Sequence, residues 1–250
     1  MSAPGGTAAG LSNGGCVSDL PEPVRRYFNH VLPDGQPPIR LMRMRQCGVL
    51  RTNPRSTRWV KFSATHAADP ASRCFSWDAS AQMLPLLHLN VRDGYADGVG
   101  SGEVRLLSAI TVASDRDNPE INAASLHRYL AEAVWYPTAL LPSAGVRWSP
   151  IDDSRALATL SDRGNTVSLE FRFSEVGEAT TVYTSGRWNR RGRAFVLMPW
   201  EGHFSGYRRH HGILAPARGE VGWYVDGELE IVWKGEVSTL EYQFDEARGS

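Results

Sequence analysis

Cysteine is scarce in this chain, neither charge is in excess, and no apolar run is long. The three cysteines, Cys16, Cys47 and Cys74, make neither an even disulfide framework nor a Cys-x-x-Cys pair, which excludes a disulfide scaffold and dithiol redox chemistry. Reduced thiols in a cytoplasmic protein are the expectation. Lys+Arg and Asp+Glu both number 27, so the total charge draws the chain toward neither nucleic acid nor an anionic membrane. No stretch is long and apolar enough to be an integral membrane segment. The first fifteen residues are small and polar, with neither the basic nor the apolar region of an export signal. Cys16 after Gly14-Gly15 therefore matches a lipoprotein cleavage site only in part. No internal repeat, linker or nucleophile-elbow motif occurs, and no cysteine lies beside a histidine. No cofactor and no metal are expected.

Against these absences stand 42% apolar residues, eight Trp and eight Tyr. Large amphipathic rings line ligand cavities as well as cores. The chain divides into a disordered tail over 1–18, one β-rich domain over 19–243 and a flexible end over 244–250. Asp19-Leu-Pro-Glu-Pro-Val24 looks like a capped helix start, followed by the apolar stripe Val24, Tyr27, Phe28, Val31, Leu32. Strands follow over 39–51, 57–67 and 73–79, the second with Val60, Phe62 and Ala64 on one face. Residues 83–95 and 104–113 pair around a glycine-rich turn over 97–102, which has no following helix and is no phosphate loop. Further strands are read over 146–148, 156–160, 167–173, 180–188, 194–198, 221–225 and 229–236, with Asp226-Gly227 a two-residue hairpin turn. One clear helix interrupts them. Asn118-Pro119-Glu120 supplies its start, Leu126, Leu130, Ala133 and Val134 its spacing, and Pro137 its end. The fold class is mainly β (α+β): a curved antiparallel sheet or half-barrel with an N-terminal helix and a lid-like central helix, expected over 124–135 on the concave side.

Several phrases carry a resemblance: Leu20-Pro-Glu-Pro-Val-Arg-Arg-Tyr27, Trp59-x-x-Phe62, Phe75-x-Trp77, Asp93-x-Tyr95-x-x-Gly98-x-Gly100, Pro199-Trp-Glu-Gly202 and, most specifically, Tyr129 to Pro142. Together, over about residues 19–243, they resemble a bacterial family known only as a domain of unknown function. The resemblance implies a fold similar to the lipoprotein carriers (LolA/LppX-like), whose curved sheet takes acyl chains under helices. It carries over no catalytic residues. The chain departs from those carriers in lacking an export signal.

Two segments group residues that could carry chemistry. Alternation on a strand sends Asp93, Tyr95 and Asp97 to one face; in an apolar hollow Asp93 and Tyr95 are acid–base candidates, and beside glycine Asp93 and Asp97 serve turns instead. Trp200 to His211 is the densest titratable run. Glu201, His203 and Tyr207 are its acid–base candidates, with Trp200 and Phe204 as apolar walls; Arg208, Arg209, His210 and His211 read as a solvated hairpin. The histidine spacing matches no helical metal pair. Glu132 lies four residues after Arg128, spaced as an exposed helical pair, or instead tips into the hollow beside Tyr136. Arg187, Arg190, Arg191 and Arg193 read as a solvated hairpin tip. The expected pocket is lined by Trp59, Phe62, Trp77, Trp135, Tyr136, Leu140 and Trp200, with the proline-broken helix end at its mouth. The functional expectation is an apolar small-molecule ligand or substrate. It is either turned over by a cofactor-independent acid–base cyclase or isomerase, working on polyketide-like or lipid-like molecules in biosynthesis, or held by a non-catalytic acyl-chain binder. Oligomeric state is not legible.

Overall fold

The computed structural model describes residues 19–51, 55–84, 87–106, 110–192 and 194–245. The tail expected over 1–18, with Cys16, and most of the C-terminal stretch, with Arg193, lie outside the described residues.

Helix α1 spans Glu22–Val31 and turns Val24, Tyr27, Phe28 and Val31 inward. Asp19 is not its cap: Pro21 holds that place with no side-chain bond, and Pro23 fits the first turn, where no amide partner is needed. Six strands follow as a meander: β1 (Ile39–Leu50), β2 (Val60–Asp69), β3 (Cys74–Leu84), β4 (Leu87–Ala96), β5 (Val99–Leu106) and β6 (Ile110–Arg116). Helix α2 (Pro119–Glu132) then leads through three short 3-10 turns to β7 (Arg147–Pro150), β8 (Arg155–Asp162), β9 (Asn165–Phe173), β10 (Ala179–Arg191) and β11 (Ala194–Ser205). A small hairpin, β12 (Arg208–His210) and β13 (Ile213–Ala215), precedes β14 (Arg218–Val225) and β15 (Glu228–Phe244).

Thirteen of these strands form one antiparallel sheet in the order β6-β5-β4-β3-β2-β1-β15-β14-β11-β10-β9-β8-β7. Two meanders are thus joined where β1 pairs with β15, and the sheet curls into a half-barrel. Helix α2 crosses the hollow, touching β4, β5 and β6 near one edge and β9 and β10 toward the other. Its Leu126, Tyr129 and Leu130 are buried in the main core; each such side chain contributes about 1.5–3 kcal/mol by leaving water. The lid-like helix of the sequence reading is therefore present and inside the curve.

Three expectations shift. The helix starts earlier than residue 124, because Asn118 caps it by accepting from the Ile121 amide at 2.8 Å. It ends earlier too: the backbone tightens to a 3-10 turn over Ala133–Trp135, and Tyr136, ahead of Pro137, leaves the helical region. The glycine-rich stretch is strand rather than loop beyond Asp97-Gly98. A Cβ on Gly100 would lie 2.4 Å from the Ile121 carbonyl oxygen, so glycine there lets α2 sit on β5, while the Gly100 amide donates to Asn122 Oδ1 at 2.7 Å. The segment read as one strand over 104–113 is two, β5 and β6. Asp226 and Gly227 both have positive φ, 54° and 88°, as the predicted hairpin demands.

Candidate functional site

A cavity of about 250 Å³ opens between α2 and the inner face of the sheet. Its walls carry five tryptophans: Trp77 from β3, Trp135 from the end of the helical segment, Trp200 from β11, Trp223 from β14 and Trp233 from β15. Phe204, Val221 and Val232 fill the spaces between them, and Asp93, Arg128, Glu132 and Arg187 supply its charge. The strand period explains the assembly. Directly paired residues share a face, so His66, Trp77 and Asp93 stand in one inward row across β2, β3 and β4, and Trp200 and Trp223 in another across β11 and β14. Gly219 leaves the room Trp135 needs, since a Cβ there would stand 3.3 Å from its ring. The Trp135 indole donates to the Pro216 carbonyl at 2.8 Å, and Trp77 to Gln46 Oε1 at 3.0 Å. The buried Trp200 Nε1 has no partner among the described residues.

The polar groups form a chain under α2. Arg128 donates to Glu132 Oε1 at 2.8 Å and to Asp93 Oδ2 at 2.5 Å, and its guanidinium lies 4.8 Å over Trp77. Glu132 Oε2 comes within 3.4 Å of His66 Nε2, but no hydrogen bond forms and both atoms are buried without one. Burial pushes His66 down to about 4, Glu132 pulling it up and Arg128 down, so the imidazole is neutral at pH 7. Burial also raises Asp93, against the pull of Arg128. Arg187 lies 4.9 Å over Trp200 and 5.4 Å over Trp223 and donates Nη2 to the Ala124 carbonyl at 3.1 Å. Burial, and then repulsion from Arg128, lower it to about 10, still cationic at pH 7.

Of the five expected acid–base residues only Asp93 borders this cavity. Tyr95 shares its face but is buried farther along, donating to Asp162 Oδ2 at 2.8 Å; Asp97 is an exposed turn residue paired with Arg163. Glu201 and His203 lie on the opposite face of β11 from Trp200 and Phe204. There His203 Nε2 meets Glu201 Oε1 at 2.7 Å, its Nδ1 meets Glu220 at 3.2 Å, and Tyr224 donates to Glu201 Oε2. The reason is that β11 runs on past Met198 to Ser205, where alternation separates Trp200 from Glu201. Pro199 is tolerated in that strand because it faces a bulge between Thr184 and Arg187 of β10. Tyr207 is tied to the Ala179 carbonyl at 2.7 Å, away from the cavity walls.

Of the seven expected lining residues, Trp77, Trp135 and Trp200 border the cavity. Phe62 stands behind the wall, stacked on Trp233 with ring centroids 5.7 Å apart. Tyr136 and Leu140 are wholly buried, the former donating to the Tyr129 carbonyl. Trp59 is 37% exposed beneath Arg51. Sequence reasoning did not assign Arg187, His66, Trp223 or Trp233 to the site. Extending the Val60-Phe62-Ala64 alternation by one step reaches His66, and Val221 by one step reaches Trp223.

The chain matches a family of unknown function, DUF6544, over residues 12–235. It belongs to that family. Among solved structures it is similar to a LolA superfamily protein from Nitrosomonas europaea, with 7% identity, 88% of this chain and 92% of that one covered, and a TM-score of 0.44. It is also similar to a β-barrel-like protein of another domain of unknown function, DUF1849, from Brucella abortus, with 11% identity, 83% and 99% covered, and a TM-score of 0.26. No curated protein matches the chain. No helix among the described residues is long and apolar enough to cross a membrane.

Proposed function

We propose that this DUF6544 protein binds a small, largely apolar molecule in the tryptophan-walled hollow beneath α2. The observation that carries this reading is the cavity itself: five indoles and a phenylalanine turned inward around about 250 Å³. A fold that only needed a core would close that space, because every unfilled volume loses dispersion contacts. Concave apolar walls with a few converging polar groups are what ligand sites use. Native mass spectrometry after incubation with nitrobenzene, a small neutral aromatic, tests it. One bound molecule is expected, and none with Val221→Trp, which fills the hollow. A wild-type protein that stays bare contradicts the reading.

A second reading, acid–base turnover of the bound molecule by a cofactor-independent isomerase or cyclase of polyketide-like or lipid-like substrates, has its own support. Asp93 has a raised pKa at the cavity, and Glu132 Oε2 is buried without a hydrogen bond. Carboxylates in such surroundings take protons from carbon acids near neutral pH. Deuterium uptake into the methyl group of acetophenone in heavy water reads this out with no known substrate. Catalysed exchange should fall about a hundredfold or more in Asp93→Asn or Glu132→Gln and persist in Glu201→Gln and His203→Ala. Exchange at the solvent rate in the wild type leaves the binding protein alone.

A further inference from the structure

We infer that the ligand is an organic acid: one anionic head, of the carboxylate class, on an apolar body, with Arg187 as the anion anchor. The inference rests on the cavity being the ligand site and adds to it the charge of the occupant.

Four charged side chains border the hollow, and three of them are ion-paired with one another. Arg128 is held between Asp93 and Glu132. Arg187 has no such partner: among the described residues no carboxylate lies within ion-pair distance of it. Its Nε and Nη2 share one backbone carbonyl, that of Ala124, and among the described residues its Nη1 has no acceptor. The Trp200 and Trp223 rings beneath it hold the guanidinium by their faces, leaving Nη1 for something else.

A half-buried cation gains from an anion that meets it directly; among the described residues none pairs with Arg187, which Asp93 and Glu132 influence only at longer range. A second orphan points the same way. Trp200, 4% exposed, presents a buried Nε1–H without an acceptor, on the side chain over which Arg187 lies. Both groups are donors only. An acceptor-rich, negatively charged head satisfies both, whereas an amine or a plain hydrocarbon satisfies neither. Across the hollow Trp77, Trp135 and Trp233 offer flat apolar walls for the body of the molecule. At roughly 25–30 Å³ for each non-hydrogen atom, the scale on which a cavity of about 150 Å³ holds benzene, the volume of about 250 Å³ admits about eight to ten such atoms, so a compact aromatic or medium-chain acid fits and a long-chain lipid does not.

Isothermal titration of benzoate against benzamide, its neutral counterpart of the same shape, tests the inference. The wild type should bind the carboxylate roughly ten- to a hundredfold more tightly than the amide, the usual range for a charge-assisted bond gained. Arg187→Gln should erase that preference while keeping amide affinity, and Arg187→Lys should restore part of it. Retained amide binding also shows that the Gln variant is folded. Equal affinities in the wild type, or a preference that survives Arg187→Gln, overturns the anion assignment and leaves the cavity reading intact. Failure of both compounds to bind the wild type overturns the cavity reading and the inference with it.

Discussion

His66 is wholly inside the protein, with both ring nitrogens lacking hydrogen-bond partners and Glu132 3.4 Å away. His127, on α2, is nearly as buried. Burial lowers both to about 4 from the ordinary 6.5, with Arg128 adding to the effect at His66 and Arg187 at His127, and Glu132 opposing it at His66. The unfolded chain takes up these protons as pH falls through 6.5, while the folded protein resists until about 4. Stability is therefore fully present above pH 6.5 and lost between 6.5 and 4, by up to roughly 3 kcal/mol for each histidine. Urea unfolding at pH 7 and at pH 4.5 should show the loss, and His66→Leu should make it shallower. An unchanged pH dependence in that variant contradicts the account of His66. At this scale legibility depended on local pattern. Trp77, Trp135, Trp200 and Asp93, which border the cavity, could be placed on one face because aromatic and alternating positions announce it. Arg187 was hidden because a run of arginines near a hairpin reads as solvated, and only the curl of the sheet brings its guanidinium over two indoles.

Among the elements, α2 does most to shape the site, and two features hold it. Asn118 caps its first turn, so Asn118→Ala should cost about 1 kcal/mol. Gly100 lets it approach β5, where a side chain would meet the Ile121 carbonyl. Gly100→Val should therefore cost about 1–3 kcal/mol or more by overpacking. Gly102→Ala, whose new Cβ meets nothing closer than 3.4 Å, should cost less. Equal effects on urea midpoints would contradict this view of the helix seat. The sequence showed that a helix interrupts the strands, and Pro137 showed where its regularity must fail. It did not show that glycines 100 and 102 lie in a strand, because glycine marks a loop and a close backbone approach with the same letter. It also ended β11 at Met198, since Pro199 reads as a breaker and its tolerance depends on a bulge in the neighbouring strand. That one boundary placed Glu201 and His203 beside Trp200 when they face the other way.

At the scale of the whole molecule, two meanders joined at β1 and β15 curl around one helix and leave a tryptophan-lined space. The antiparallel architecture was legible because strand-length alternation and turn residues recur along the chain. The position of the hollow was not, because it depends on pairings such as β11 with β14 that skip a hairpin. The central claim is that this inner hollow, and not the outer face of the sheet, receives the ligand. Titration with nitrobenzene, followed by quenching of tryptophan fluorescence, tests it most directly. The account predicts saturable one-site quenching in the wild type, the same curve for the outer-face variant His203→Ala, and none for Val221→Trp. Quenching that survives Val221→Trp but is lost in His203→Ala would contradict it.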